Sequence, residues 1–412
     1  MVKHLSTHPY KGTRDFYPED MAVQRYIFDT WAYVAELYGY ERYDASVLEP
    51  ADLYKSKGAE NEELVNEQTY TFLDRGDREV TLRPEMTPTA ARMIAAKKRD
   101  LSFPVRWYSI PNLFRYERMQ RGRLREHWQL NCDLFGIDDY TADVELITLA
   151  YNVMTAFGAT DDMFEIRIND RAWITEMLEA EGLSPDQVTD MILLLDRKEK
   201  IDDFDTKAKH IAGKTIDFSA APKPSSRLGR VIAGLAVLGI TNVRVSLSTV
   251  RGFNYYTGVV FEIFDTSTEN NRSIGGGGRY DNLTSLFGGD PVPGIGFGMG
   301  DVTMRDFLET HGLLTANITA PTLVVVPTEP EHNLEAERVA QQFRAAGVSA
   351  TVDLGARKLK KKIAAASDAL VSYVLVLGDA ETATGTFTLK RLTDGTETSG
   401  TLEELVAVCA SL

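Results

Sequence analysis

The sequence has little cysteine and no long apolar run. Its 412 residues contain two cysteines, Cys132 and Cys409, which lie far apart and outside any zinc-binding spacing. This argues against a disulfide framework and favours a reducing, cytoplasmic environment. No apolar stretch approaches the roughly 20 residues that a membrane-spanning helix needs, and the N-terminus lacks the apolar core of a signal peptide. We therefore expect no membrane partner.

Positive charge is also in deficit. Lysine and arginine total 45 against 60 aspartates and glutamates, which gives a net charge of −15. This argues against a protein that coats nucleic acid by bulk charge, although local basic patches can still bind RNA. Basic residues cluster in two places, within 118–125 and within 357–362. Each cluster alone could be a solvated face, but together they suit a large polyanion that is contacted twice.

An arginine-rich hairpin is predicted over residues 113–136, LFRYERMQRGRLREHWQLNCDLFG. Strand alternation places Arg115 and Glu117 on one face of the first strand. The second strand has an apolar face of Trp128, Leu130, Cys132 and Leu134 and a polar face of His127, Gln129, Asn131 and Asp133. The connector, residues 118–125, carries four arginines and one glycine and predicts a mobile cationic tip. Arginine pairs with phosphate and carboxylate holds a cation, so the polar face predicts a ligand pocket; a solvated hairpin is the alternative.

The segment Phe-Arg-x-Glu at 114–117, followed by a loop and a strand, resembles motif 2 of the class II aminoacyl-tRNA synthetases. Its longer form, RGRLREHWQLNCD, is similar to the histidyl-tRNA synthetase family. The resemblance implies that Arg115 contacts the α-phosphate of ATP and that Arg123 lies near the outer phosphates. It implies that Glu117 holds either the adenine amino group or a magnesium-linked water. Arg118 and Gln120 would contact the acceptor end of the tRNA.

Glu85 and Thr87 are two residues apart, so in extended backbone both side chains point the same way. A carboxylate beside a hydroxyl can hold an ammonium group. In the family, Arg-Pro-Glu-x-Thr binds the α-amino group of histidine, which implies that role for Glu85 and Thr87 here. A simple helix cap at Thr87 is the alternative.

The segment Arg251-Gly-x-x-Tyr255-Tyr256 resembles a motif that is peculiar to histidyl-tRNA synthetases. By this resemblance Arg251 joins Arg115 as a catalytic residue, because it contacts the α-phosphate and stabilises charge during adenylate formation. Tyr256 and Asp133 would recognise the imidazole ring, with Gln129 and Tyr255 also in the histidine pocket. An acidic acceptor and a phenol can select a ring with two N–H donors. Phe253 and Asn254 stand where the family usually has leucine and aspartate, and many members have glutamate in place of Asp133.

The glycine run GGGGRYD, residues 275–281, precedes a predicted helix. It lacks the terminal Lys-Ser/Thr of a phosphate-binding P-loop and the spacing of a dinucleotide fingerprint. The family has a matching segment near its histidine pocket, so we expect a close approach of backbone to substrate.

Glycines also alternate in PVPGIGFGMGDVTMRDFL, residues 291–308. Gly294, Gly296, Gly298 and Gly300 share one face of a predicted strand, and that bare face would admit a flat aromatic ring; close helix packing is the alternative. The segment resembles motif 3, which implies that Gly298 and Gly300 line the ATP site. Many class II enzymes carry an arginine in the following helix for the γ-phosphate, and Thr303 stands there in this chain. Arg123 and Arg305 are candidate replacements.

Periodicity gives the remaining elements of the N-terminal part. Residues 21–38 predict an amphipathic helix and 39–50 a strand that stops at Pro50, an arrangement that resembles the motif 1 dimer interface. Residues 69–73 and 79–83 predict a hairpin. Residues 171–240 predict a helical insertion, within which 184–187 have the cap, N1 proline and reach-back glutamine of a helix start.

Residues 313–322 predict a linker, and the chain beyond it alternates strand and helix as in a small α/β domain with a mixed sheet. This part resembles the anticodon-binding domain of several class II synthetases, and residues 354–362 would then face RNA. The predicted fold is therefore an α+β catalytic domain over residues 1–315, an antiparallel sheet flanked by helices, followed by an anticodon-binding α/β domain over residues 322–412.

The resemblance implies a histidine–tRNA ligase. Its partners would be L-histidine, ATP, tRNA(His) and a second copy of the chain, with Mg²⁺ bound to the substrate and no metal held by protein ligands alone. One alternative is an inactive regulatory paralogue that binds histidine; such paralogues usually lose the catalytic arginines and the anticodon domain, and this chain has both. A generic RNA- or nucleotide-binding protein is a second alternative, but it leaves the Arg-Gly-x-x-Tyr-Tyr segment unexplained.

Overall fold

A computed structural model of the chain describes residues 5–55, 68–195, 197–198, 201–219, 221–249, 255–270, 272–315 and 320–410. The chain forms two compact units, Met1–Ala316 and Asn317–Leu412. No described helix is both long enough and apolar enough to span a membrane.

The first unit contains nine described α-helices and twelve described strands. The helices are α1 (Pro18–Leu37), α2 (Asp52–Lys55), α3 (Thr87–Lys97), α4 (Tyr140–Ala156), α5 (Arg171–Ala180), α6 (Pro185–Leu195), α7 (Phe204–Ala212), α8 (Arg227–Val237) and α9 (Asp301–Thr310). The strands are β1 (Glu41–Arg42), β2 (Leu48–Pro50), β3 (Tyr70–Leu73), β4 (Glu79–Leu82), β5 (Val105–Ser109), β6 (Asn112–Phe114), β7 (Glu126–Phe135), β8 (Phe164–Asp170), β9 (Val243–Val245), β10 (Val259–Asp265), β11 (Ser273–Arg279) and β12 (Gly294–Gly300).

A nine-stranded sheet organises this unit, in the order β1-β5-β7-β12-β11-β10-β8-β9, with β6 also paired to β7. The inner pairs, from β5 to β8, are all antiparallel. Parallel pairs occur only at the two ends of that order, where β1 joins β5 and β9 joins β8. The predicted antiparallel sheet with flanking helices is confirmed.

Helices α1, α4, α8 and α9 pack on one face of the sheet and form the main core with it. Strand β7 contributes Leu130, Cys132 and Leu134 to this core, as its alternation predicts, whereas Trp128 of the same predicted face is only half-buried and packs against Phe16. Helix α1 contributes Ile27, Trp31 and Val34, as its spacing predicts, but Leu37, predicted on the same stripe, is exposed at the end of the helix. Burying each large apolar side chain stabilises the fold by about 1.5–3 kcal/mol. The opposite face of β7 is thereby turned away from these helices.

The motif 1 segment differs from the prediction. Residues 39–50 form two short strands in different sheets: β1 pairs with β5 of the main sheet, and β2 pairs with β4 in a three-stranded sheet of order β2-β4-β3. The buried side chain of Arg83 separates them, because it donates to Asp44 Oδ1 at 2.9 Å and to the carbonyl of Ala45 at 2.7 Å. The hairpin predicted over 69–83 is confirmed as β3 and β4.

Within residues 171–240, helices α5, α6 and α7 share a separate core that includes Leu178, Met191 and Phe204. Helix α8 packs instead on the main core through Leu228, Val231 and Leu235. The predicted cap before α6 is confirmed, since Gln187 Oε1 accepts from the Ser184 amide at 2.9 Å and Ser184 Oγ accepts in return at 3.4 Å.

The glycine run does not precede an α-helix. Gly275–Gly278 lie inside β11, and the next element is a short 3₁₀ helix, Leu283–Phe287. A Cβ atom on Gly277 would overlap the backbone of β12, so glycine here permits two strands to approach closely.

The second unit has a five-stranded mixed sheet in the order β14-β13-β15-β16-β17, parallel over its first three strands and antiparallel after β15. Its strands are β13 (Leu323–Pro327), β14 (Ala350–Val352), β15 (Tyr373–Leu377), β16 (Phe387–Arg391) and β17 (Glu397–Gly400). Its helices are α10 (Asn333–Ala345), α11 (Leu359–Asp368), α12 (Asp379–Thr384) and α13 (Leu402–Ala410), with a 3₁₀ turn at Pro330–His332. The predicted mixed α/β sheet is confirmed; β17 and α12 lacked a clear sequence signal.

The basic cluster within 357–362 is smaller than its sequence indicates. Lys362 is buried, and its ammonium group donates to the carbonyls of Pro327 at 3.1 Å and Asp353 at 3.0 Å. Arg357 is ion-paired with Asp353 at 2.9 Å. The exposed lysines Lys358, Lys360 and Lys361 are what remains for an external polyanion.

Candidate active site

The predicted hairpin is present, but its first strand is shorter than predicted: β6 ends at Phe114, so Arg115 and Glu117 lie beyond it and not on a strand face. Strands β6 and β7 pair antiparallel, with Asn112 opposite Trp128 and Phe114 opposite Glu126. Strand β12 runs along the other side of β7, where Gly296 lies opposite Asp133 and Gly300 opposite Gln129. A Cβ atom on Gly298 would lie 2.6 Å from Cδ of Gln129. The bare face of β12 therefore makes room for polar side chains of this protein, which occupy part of the space that we had assigned to a ligand ring.

Asp133 is a buried acceptor at the centre of a cluster of polar side chains. Its carboxylate Oδ1 accepts a short hydrogen bond from the hydroxyl of Tyr280. Its second oxygen, Oδ2, is buried without a hydrogen-bond partner among the described residues. The hydroxyls of Tyr43 and Ser109 are also buried nearby, and that of Tyr43 is close enough to Asp133 to lower its pKa. A buried polar atom that lacks a partner is costly, so this cluster is suited to a bound ligand with N–H donors.

The pKa shifts of these buried groups are consistent with this hydrogen-bonded cluster. Burial raises the pKa of Asp133 to about 7, and the neighbouring hydroxyls of Tyr280 and Tyr43 lower it in turn. Burial and the nearby Asp133 raise the pKa of Tyr280 and of Tyr43 far above the ordinary value, so both phenols remain protonated donors. Asp133 thus gains or loses its charge near neutral pH.

Glu85 and the two tyrosines form the adjoining wall. Glu85 is buried in the turn before α3, and its Oε2 accepts from the hydroxyl of Tyr255 at 3.0 Å. The rings of Tyr255 and Tyr256 lie 4.8 Å apart, and Tyr255 meets Tyr280 edge to face at 5.9 Å. The structure therefore brings Glu85, the two tyrosines and Asp133 together across Tyr280.

Thr87 is the first residue of α3, but the residue before the helix is Met86 and no side chain caps it. The helix-cap alternative for Thr87 is therefore wrong. Thr87 is half-buried and lies two residues beyond Glu85; its role beside Glu85 stays a prediction.

Arginines occupy the other end of the hairpin. Arg115 follows β6 directly, and its Nε donates to the carbonyl of Pro84 at 2.8 Å. The carboxylate of Glu117 lies 4.0 Å from Arg115 and 3.1 Å from Arg123. One largely buried carboxylate therefore faces two guanidinium groups, which leaves positive charge for an anionic ligand.

The connector is tied to the N-terminal segment. Arg125 stacks 3.8 Å from the ring centre of Tyr116, and its Nη1 donates to the hydroxyl of Tyr10 at 3.1 Å. Gly12 has a φ of +88°, and a Cβ atom there would lie 2.7 Å from Cγ of Arg125. Arg118 and Gln120 are exposed.

Three charged residues near the glycine strands serve the fold. Arg279 is buried and bonds Asp143 and Asp281 at 2.8 and 3.0 Å. Asp301, which begins α9 as predicted, accepts from the Trp128 amide at 2.9 Å and from Arg14 at 2.7 Å. Arg305 is ion-paired with two carboxylates, Glu309 at 2.8 Å and Asp20 at 3.4 Å, and both would compete with a phosphate for it.

Some of the predicted site residues lie outside the residues that the structure describes, and some residues of the observed site were not predicted. Arg251, Phe253 and Asn254 fall outside the described residues. Tyr43, Ser109 and Arg272 had no signal in the sequence, whereas Tyr280 was marked by its place in the glycine run GGGGRYD. In the described part of the chain, no group of three or more histidine, cysteine, aspartate or glutamate side chains is arranged to hold a metal ion.

Comparison with known proteins gives the class and then the family. The sheet and the motif 2 hairpin have the architecture of the class II aminoacyl-tRNA synthetases. The histidyl-tRNA synthetase sequence profile matches residues 12–215 and 166–301, and the anticodon binding domain profile matches residues 322–412. The chain belongs to the histidyl-tRNA synthetase family, and it is an aminoacyl-tRNA synthetase of the ligase class.

The chain is similar over almost its full length to curated relatives. It is 42% identical to the histidine–tRNA ligase of Leptospira biflexa serovar Patoc over 94% of this chain and 93% of that protein. It is 37% identical to the histidine–tRNA ligase of Thermoplasma volcanium over 96% of each.

Solved structures share the fold. The histidyl-tRNA synthetase of Nostoc sp. PCC 7120 superposes with a TM-score of 0.78 at 24% identity, covering 99% of this chain and 100% of that one. The apo enzyme of S. aureus gives a TM-score of 0.76 at 23% identity, covering 98% and 100%. The predicted family, fold and ligase function are confirmed, and the regulatory-paralogue alternative is less supported.

Proposed function

We propose that this ligase activates L-histidine with ATP to histidyl-adenylate, releases pyrophosphate, and transfers the histidyl group to the 3′ end of tRNA(His). Residues 1–315 would form the catalytic domain, with the helical insertion at 171–240, and residues 322–412 would bind the anticodon. Two observations support the assignment to histidine: the family, and a pocket whose acceptor matches an imidazole ring.

The observation that best supports histidine as the substrate is the buried Oδ2 of Asp133, which lacks a hydrogen-bond partner among the described residues. An imidazole N–H would donate to it, while a phenylalanine ring of similar size would leave the carboxylate unpaired. Rejection by an unpaired buried polar group is strong, on the order of 10⁴-fold in favourable cases. Tyr256 and Gln129 would hold the ring from either side.

The α-amino group of histidine would lie against Glu85 and Thr87. Glu85 is buried and already fixed by the hydroxyl of Tyr255 at 3.0 Å, which orients its carboxylate. A buried carboxylate of fixed orientation favours an ammonium ligand, because the charge–charge interaction is weakly screened there.

ATP would lie along β12 with its phosphates toward the arginines. Gly298 and Gly300 would allow the nucleotide to approach the sheet. Arg115 and Arg251 would flank the α-phosphate and stabilise the charge that develops as the histidine carboxylate attacks it. Glu117 would bind the adenine amino group or a water on magnesium, and Mg²⁺ would arrive bound to ATP.

Transfer requires the acceptor end of the tRNA beside the adenylate. The exposed Arg118 and Gln120 of the connector would contact it, and the lysines of the second unit would contact the anticodon arm. The chain would act as a homodimer; the exposed apolar side chains Leu48, Phe72 and Leu73 on the small sheet support a protein interface there. We place the enzyme in the cytoplasm, on the basis of its family and its two free cysteines.

The test is histidine-dependent ATP–pyrophosphate exchange by the purified protein, followed by charging of tRNA(His). We expect exchange with histidine and none above background with the other amino acids. Exchange with phenylalanine or thienylalanine at a comparable rate would contradict the role of Asp133. Histidine binding without exchange would instead favour the regulatory paralogue.

A further inference from the structure

A small cleft, partly open to solvent, lies between the motif 2 connector and the start of α9. Its lining includes Arg121, Asn270, Arg272, Ile274, Thr303 and Asp306. Arg272 directly precedes β11, so its backbone is held beside the main sheet. None of the roles described so far uses Arg272.

The guanidinium of Arg272 is not paired directly with a carboxylate, although Asp306 lines the same cavity. No hydrogen bond or ion pair joins it to another described residue. Partial burial and the nearby Arg123 lower the pKa of Arg272, and Glu117 acts in the opposite direction. Glu117 is itself ion-paired with Arg123 at 3.1 Å. Arg272 therefore adds a half-buried positive charge beside another arginine.

Thr303 contributes no charge to this cavity. Its hydroxyl donates to backbone carbonyls, those of Ile274 at 3.0 Å and Gly300 at 3.2 Å. A Cβ atom on Gly122 would lie 3.2 Å from Cγ2 of Thr303 and 3.3 Å from Cγ of Arg272. The tip of the connector thus closes over Thr303 and Arg272 together, and Arg272 supplies the guanidinium at this place.

We infer that Arg272, together with Arg123, binds the outer phosphates of ATP, in the role that a side chain at position 303 cannot perform here. This inference rests on the proposed adenylate-forming function and assigns a residue to its phosphate site. A triphosphate between the two guanidinium groups would replace their mutual repulsion with charge-assisted hydrogen bonds. Arg272 is thus a substrate-binding residue for ATP.

The test compares Arg272→Gln and Arg272→Ala with the wild-type full-length protein. The probe is inorganic tripolyphosphate, titrated by calorimetry, which needs no turnover. Loss of one charged hydrogen-bond donor should weaken tripolyphosphate binding about 10- to 100-fold and raise the KM for ATP in exchange to a similar degree. The KM for histidine should stay within about twofold, which a general loss of structure would not allow.

Arg305→Ala is the matched control, because Arg305 lies on α9 near the same cavity but is ion-paired with Glu309 and Asp20 at 2.8 and 3.4 Å. It should leave tripolyphosphate affinity within about twofold. Unchanged tripolyphosphate binding in both Arg272 variants would overturn the inference, and so would a loss seen only in Arg305→Ala.

Different experimental outcomes would refute the proposed function and the role of Arg272. Absence of histidine-dependent exchange in the wild type would refute the proposed function, whatever Arg272 does. Exchange in the wild type with normal ATP and tripolyphosphate binding in Arg272→Gln would refute this inference alone. Because glutamine keeps most of the side-chain length, Arg272→Gln covers the case in which Arg272→Ala fails to fold.

Discussion

The two ends of one cleft are built on opposite principles. The acidic end comprises Glu85, Asp133, Tyr43, Tyr255 and Tyr280, and the cationic end comprises Arg115, Arg121, Arg123 and Arg272. In the acidic end both carboxylates are buried, and phenol hydroxyls already bond to them. In the cationic end the guanidinium groups are half-buried or exposed and share few carboxylates.

The contrast indicates that the acidic end selects the amino acid, while the cationic end stabilises the negative charge of ATP. A buried acceptor that is almost satisfied by its own protein can distinguish ligands by a single N–H, because an imperfect ligand leaves it unpaired. A cluster of guanidinium groups distinguishes shapes poorly but stabilises charge strongly. We therefore expect changes at the acidic end to alter the KM for histidine, and changes at the cationic end to alter ATP binding and the rate of adenylate formation.

The largest expected effect is at the cationic end. Arg115→Ala should lower the rate of ATP–pyrophosphate exchange by about 10²–10³-fold, the usual cost of losing one transition-state donor, with a smaller change in the KM for histidine. Arg244→Ala is the control, because Arg244 is exposed on edge strand β9 and should retain full exchange. A change confined to the KM for histidine would contradict the division between the two ends.

A backbone change should disrupt the acidic end alone. In Gly296→Ala the new methyl group would overlap the Tyr280 hydroxyl and Oδ1 of Asp133, so both side chains must shift. We expect the KM for histidine to rise about 10- to 100-fold, and the KM for ATP to change little. Gly258→Ala is the matched variant, since its Cβ would meet Arg279 at an ordinary 3.5 Å. Equal losses in both variants would mean that the effect is one of stability.

The charge of Asp133 should make histidine binding depend on pH. Its pKa is raised to about 7, so in the empty pocket the carboxylate gains a proton as pH falls through this value. We expect the KM for histidine to rise about tenfold between pH 8 and pH 6. Steady-state exchange over this range is the measurement. Asp133→Asn should have a higher KM throughout and retain only the titration of the substrate imidazole; an unchanged profile in that variant would exclude Asp133 as the titrating group.

The smallest expected effect is at Tyr43. Tyr43→Phe removes a buried hydroxyl that lowers the pKa of Asp133, so that pKa should rise. The KM for histidine should increase about three- to tenfold at neutral pH, and its pH profile should move to higher pH. Tyr26→Phe, whose ring lies 5.5 Å from that of Phe157 in the main core, should behave as wild type. A profile that does not move would separate Tyr43 from the acidic end.

Much of the fold could be predicted from the spacing of residue types within single segments. The alternation in 126–135 assigned Leu130, Cys132 and Leu134 to the core and Gln129 and Asp133 to the pocket, because successive strand residues face opposite sides. The prediction of one continuous strand over residues 39–50 was wrong for a non-local reason. Arg83, which is distant in sequence, donates hydrogen bonds to Asp44 and Ala45 and so divides the segment into two strands.

By itself the sequence determined the family, the two-part organisation, the strand faces and the glycine face of β12, since these depend on residue type and spacing along one segment. Only the tertiary structure decided which side chains meet. Tyr280 reaches Asp133 across 147 residues, and Arg272 approaches Gly122 and Thr303 from another strand. It also removed Lys362 from the basic surface, because the ammonium group satisfies two backbone carbonyls inside the second unit. Such contacts depend on how the strands assemble, and no local periodicity encodes them.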